Sequence, residues 1–132
     1  MLRAITEARD RGKRRRQVTA EAERAYETFL QAVATPLVQQ LASALKAEKH
    51  AFTVFTPGGG LRLAADRGRD DFIEFVLDDA DDRPQVTVRV RRTRGSRTLD
   101  DTTPIKQGVP PDQLTEDDVL EFLLAALQPW LE

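Results

Sequence analysis

No cysteine occurs anywhere in the sequence. That absence removes a disulfide framework, a thiol nucleophile and every cysteine-ligated zinc or iron–sulfur site. Histidine is nearly missing as well: His50 stands alone, so no multi-histidine metal site can form. Ser43 and Ser96 are the only serines, and a Ser-His-Asp triad needs one of them beside the histidine. Ser43 lies seven residues before His50, about two helical turns away, a poor spacing for a nucleophile and its base. Asp70, Asp71 and Glu74 are the carboxylates nearest to a nuclease-like metal cluster, yet no lysine is spaced to assist them. The residues therefore point to no catalytic group, no metal and no cofactor.

Long apolar runs are missing too. None approaches the roughly 18 residues that a membrane span requires. The opening MLRAITEARDRGKRRR lacks the apolar centre of a secretory signal. The expectation is a cytoplasmic protein without a membrane partner.

What the chain does have is charge, distributed unevenly. Its net charge is −2, but residues 1–17 carry seven Arg and Lys against Glu7 and Asp10, whereas residues 99–132 carry eight acids against Lys106. Such asymmetry marks a nucleic-acid arm, an acidic interaction tail, or two ends that attract each other within or between chains. Lys13, Arg14, Arg15 and Arg16 form the longest uninterrupted basic run, the pattern of a phosphate-contacting arm or of a solvated, frayed helix start. Residues 1–17 are thus read as a basic arm, partly helical or frayed, and residues 18–132 as a single domain.

Hydrophobic periodicity then gives the elements. Tyr26, Phe29, Leu30, Val33, Leu37, Leu41 and Leu45 recur at spacings of three and four, which predicts a helix from Thr19 to about Lys49 with Thr19 as N-cap. Pro36 should kink that helix, or break it and restart it with Thr35 as cap. Four stretches alternate with a period of two. Pairing Val54 with Leu63, Leu63 with Ile73, Phe75 with Val88 and Leu77 with Val86 keeps apolar against apolar across the set. Pro57-Gly58-Gly59-Gly60 reads as a turn, since it lacks the Lys-Ser/Thr of a phosphate loop. Gly68 is expected to take a left-handed position in the next connection, and Asp78 to Asp82 to form a solvated acidic loop without calcium-binding spacing.

A turn at Gly95-Ser96 should lead to a short fifth strand that places Arg91 opposite Asp100. The same register sets Asp101 beside Val90, so a bulge or the loss of the strand is expected. Residues 102–113 read as an irregular loop. Thr115 to Asp118 is a capping-box variant, with Leu114 and Val119 as its hydrophobic staple. The helix it opens should stop at Pro129 and leave Trp130 to dock elsewhere.

The predicted fold is α+β in two layers: a four- or five-stranded antiparallel meander, covered on one face by a long kinked N-terminal helix and a C-terminal helix. On the opposite face, Phe55, Arg62, Glu74 and Arg89 should form one row, and Phe72 should lie opposite Arg91 within cation–π reach. The missing chemistry and the outward aromatics suggest a non-catalytic protein-interaction module, adaptor- or chaperone-like. It would be a homodimer, with Phe55, Phe72 and Trp130 as candidate interface residues. The alternative is nucleic-acid binding through Lys13, Arg14, Arg15, Arg16, Arg89 and Arg91, with Arg62, Arg92 and Arg94 extending the basic edge.

Overall fold

The computed structural model describes residues 1–67, 70–80 and 83–132. It is an α+β structure in which one five-stranded antiparallel sheet follows chain order, β1-β2-β3-β4-β5. The strands are β1 (Phe52–Phe55), β2 (Leu61–Ala65), β3 (Phe72–Asp78), β4 (Gln85–Arg94) and β5 (Arg97–Pro104). Ahead of them run α1 (Leu2–Phe29), a π-helical turn (Leu30–Ala34) and α2 (Thr35–Ala47); α3 (Glu116–Leu131) follows. Gly68, Asp81 and Asp82, on which the left-handed position and part of the acidic loop were placed, lie outside the described residues.

Every expected register is present. Val54 faces Leu63, Leu63 faces Ile73, Phe75 faces Val88 and Leu77 faces Val86. One slipped residue would move each apolar set to the other face of the sheet, so alternation together with the short connections selects this pairing. The resulting inner face carries Leu61, Leu63, Ile73, Phe75, Val86 and Val88. Against it pack Phe29, Leu30, Leu37, Val38 and Leu45 from the N-terminal helices, and Val119, Leu123 and Leu127 from α3.

The N-terminal helix departs from expectation at Thr19, and at Pro36 the expected irregularity takes the form of a π turn. It begins at Leu2 and passes through Thr19 without a cap. Ala, Arg, Lys and Glu are good helix formers, and the single Gly12 costs only about 1 kcal/mol. Glu7 and Arg11, like Asp10 and Arg14, stand four residues apart, a spacing that supports a helix by about 0.2–0.5 kcal/mol per pair. At Pro36 the chain neither breaks nor restarts from a Thr35 cap. Thr35 keeps helical dihedrals, and its N–H reaches five residues back to the Leu30 carbonyl. Pro36 has no N–H to give residue 32, and the wider π turn directly before it absorbs that loss.

β5 also forms without the expected bulge. Arg91 lies opposite Asp100 and Val90 opposite Asp101 in an unbroken ladder. Asp101 avoids burial because β5 is the uncovered edge, exposed from residue 97 to 103. The strand runs on to Pro104, into what had read as loop, and a 3-10 turn at Pro111–Gln113 interrupts the rest. Gly95 at φ 62° opens the turn between β4 and β5, while Ser96 has no positive φ, the pattern of a type II′ turn.

α3 opens as expected. Thr115 accepts from the Asp118 N–H at 3.1 Å, and Asp118 accepts from the Thr115 N–H at 3.0 Å. Leu114 and Val119, the staple pair, are both buried. Pro129 does not end the helix, which continues to Leu131. The residue after it is anchored by tertiary contacts, described next, and those hold the last turn in place.

Candidate interaction site

Trp130 is docked within its own chain. Its ring meets Phe52 edge-on, centroids 6.0 Å apart. Its indole Nε1–H donates to Oδ2 of the buried Asp71 at 3.2 Å. The other oxygen of Asp71 accepts the Thr93 backbone N–H at 2.7 Å. One carboxylate thus joins the start of β3, the end of β4 and the last turn of α3. A cavity of about 330 Å³ lies beside it, lined in part by His50, Phe52, Arg67 and Trp130. His50 is held there by its backbone N–H, which donates to Leu45 at 2.8 Å, and neither serine lines this cavity.

The outer sheet face carries the expected row, Phe55 beside Arg62, Arg62 beside Glu74 and Glu74 beside Arg89. Its bonding differs from the simple alternation. Glu74 pairs with Arg62, while Arg89 turns diagonally to Asp100, with two bonds of 2.9 and 2.7 Å. The hydrogen bonds from Arg89 hold the Asp100 carboxyl below the usual carboxylate range. Phe72 does lie opposite Arg91, yet the guanidiniums over its ring belong to Arg62 at 4.3 Å and Arg89 at 5.3 Å. The cation–π partners of Phe72 are therefore Arg62 and Arg89 rather than the expected Arg91. Covered in this way, Phe72 is 6% exposed, whereas Phe55 remains 50% exposed.

A cleft of about 910 Å³ opens between the helix from Tyr26 to Gln39, the Thr56–Gly60 turn and the end of β3. β2 starts opposite Phe75, so Val76 to Asp78 continue past it with no strand on that side. Gly58 and Gly59, at φ 57° and 81°, give the turn that borders this cleft its left-handed backbone. The Tyr26 hydroxyl is enclosed here without a hydrogen-bond partner among the described residues. Burial, and secondarily the Glu74 carboxylate, push its phenol pKa up, so it stays a neutral donor.

The basic arm is the most open part of the molecule. Residues 1–18 are exposed at every position except the half-buried Gly12, and they form the first half of α1. Leu2 is 83% and Ile5 53% exposed. Lys13, Arg14, Arg15 and Arg16 point to successive sides of the helix, about 100° apart. Among the described residues, none of these cations takes part in an ion pair.

The structure does not bring the sequence-predicted interface residues together on one open surface. Phe72 lies under arginines, Trp130 lies against Asp71 and Phe52, and Phe55 alone faces solvent. Asp71, one of the three carboxylates that come nearest to a metal cluster in the sequence, serves instead as a structural hub, a role with no local sequence signal. Among the described residues no three His, Asp or Glu side chains gather as metal ligands do, and no helix is long and apolar enough to cross a membrane. Comparison with family models, curated proteins and solved structures gives no match to this chain.

Proposed function

We propose that this chain is a non-catalytic protein-interaction module that self-associates, with the N-terminal half of α1 as its docking element. The observation that carries the reading is an exposed helix of some five turns that nothing among the described residues covers. An isolated helix of that length is marginal in water. Two large apolar side chains near its free end, Leu2 and Ile5, are surface that a partner would remove from water, at roughly 25 cal/mol per Å². Phe55 is a further exposed aromatic on the sheet, whereas Phe72 and Trp130 are already engaged inside the chain.

Nucleic-acid binding is the second reading, favoured by the ring of cations at Lys13 to Arg16. Its sheet half is weakened because Arg62 and Arg89 are already paired with Glu74 and Asp100.

Sedimentation of the intact chain across the micromolar range, before and after nuclease treatment, tests the proposal. A dimer that survives nuclease and becomes monomeric in the Leu2→Glu, Ile5→Glu double variant is the expected result. A monomer at every concentration overturns it, as does a larger species that vanishes with nuclease.

A further inference from the structure

We infer that α1 of one copy docks antiparallel along the exposed face of α3 in a second copy, and that the second copy returns the contact. This rests on the self-association reading and names the surface which that reading leaves open.

Every charged residue from 107 to 132 is acidic. Two of them, Asp117 and Glu121, share the solvent face of α3 with Leu124 and Leu131, which are 45% and 38% exposed. At about 100° per residue, these four side chains fall within a sector of roughly 80°. Leu2, Ile5, Arg9 and Lys13 on α1 fall within a sector of the same width. Each helix therefore presents one narrow stripe, half apolar and half charged, and the two stripes carry opposite charge.

Their order along the chain decides the orientation. On α1 the apolar pair comes first and the basic pair second; on α3 the acidic pair comes first and the apolar pair second. Antiparallel docking sets Ile5 against Leu124, Arg9 against Glu121 and Lys13 against Asp117. The midpoints of the apolar and charged pairs are about 11 Å apart on α1 and about 13 Å apart on α3, at 1.5 Å per residue. Parallel docking would instead lay Leu2 and Ile5 on the two carboxylates.

Other surfaces fit less well. On the outer sheet face the acids Glu74 and Asp100 are already paired with Arg62 and Arg89, and Arg91 adds further positive charge, so no acidic stripe is open to a basic helix there. The chain's own α3 face is not the occupant, since residues 1–18 stand uncovered on a helix that runs into the core without doubling back. A second copy supplies the face. The contact is reciprocal, as in a two-fold dimer, so two such helix pairs form at once.

The absence of native cysteine makes a clean test. Full-length Ile5→Cys and Leu124→Cys chains, nuclease-treated and mixed, are treated with a short bis-maleimide. The expected product is a mixed covalent dimer, formed at least fivefold more than with Leu99→Cys, an exposed control on β5. In parallel, Asp117→Lys with Glu121→Lys should weaken dimerisation at least tenfold, and adding Arg9→Glu with Lys13→Glu should restore it. Circular dichroism of each variant confirms that it is folded. Cross-linking no better than the control, or failure of the second charge reversal to restore association, overturns the docking inference. If the dimer persists through all variants, self-association stands and this surface is wrong. If the parent chain is monomeric throughout, or pairs only with nucleic acid present, both readings fall.

Discussion

Replacing Asp71 by alanine should be among the most damaging single changes to the fold outside the apolar core. The substitution leaves two donors without their acceptor, the Thr93 backbone N–H and the Trp130 indole N–H. A buried donor left unsatisfied costs about 1–3 kcal/mol. Thr93 is itself exposed and its bond only partly buried, so the low end, about 1 kcal/mol, applies there. The Trp130 donor borders the 330 Å³ cavity, where water can replace the lost oxygen, so about 0.5–1 kcal/mol is appropriate there. The expected total is about 1.5–2 kcal/mol, a sizeable part of the stability of a single domain. Urea denaturation should show it as a lower midpoint at unchanged slope. Thermal unfolding should show a fall of about 5–8 °C. Trp130→Phe keeps the edge contact with Phe52 and removes only the indole bond, so about 1 kcal/mol is expected. The double-mutant cycle between the two positions should return a coupling of about 0.5–1.5 kcal/mol. A loss below about 0.5 kcal/mol for Asp71→Ala, or a coupling of zero, would refute the claim that this carboxylate joins three elements.

Phe72→Ala should cost about 2–4 kcal/mol in urea denaturation, because it empties a site roofed by two guanidiniums, whereas Phe55→Ala should stay within about 0.5 kcal/mol; equal effects would contradict the geometry of the outer face. The Asp118 carboxyl is held below the usual range, first by the Thr115 backbone N–H and then by its hydroxyl. Its capping contribution should thus be complete above the ordinary carboxylate range and disappear as pH falls through the lowered folded value, which a carbon-13 NMR titration of Asp118 would follow. Pro129→Ala should stabilise the protein by about 1 kcal/mol or more, read from the unfolding midpoint, since the helix already runs through this position and regains a donor.

The strand registers were legible because each depends on a local rule, alternation, applied across short turns. The capping box was legible for the same reason: its two bonds link residues three apart. The extent of α1 was hidden because Thr19 before an acidic first turn carries a start signal that an uninterrupted helix overrides. The place of Phe72 was hidden differently. Alternation puts it on the outer face, and only the conformations of Arg62 and Arg89 bury it there. Pro129 and Trp130 show a third kind of limit. The bond that anchors the last turn joins residues 59 apart in sequence, and no local pattern contains it. The candidate docking stripes lie between these cases, since each is a helical pattern visible in sequence. Recognising α1 as free surface required knowing that nothing folds over it.

The π turn at Leu30–Ala34 has a consequence for everything on its N-terminal side. Such a turn holds one more residue than an α-helical turn, so it offsets the helical phase by about 100° between the segment bound to the sheet and the segment in solvent. The azimuth of Leu2, Ile5, Arg9 and Lys13 is therefore set some twenty residues away, beside Pro36. Deleting one residue within the turn would leave α2 seated and every side chain of the arm unchanged in identity. It would still swing the whole stripe a quarter-turn or more around its axis. Such a lesion would read as harmless at the surface and would change only the direction in which that surface faces.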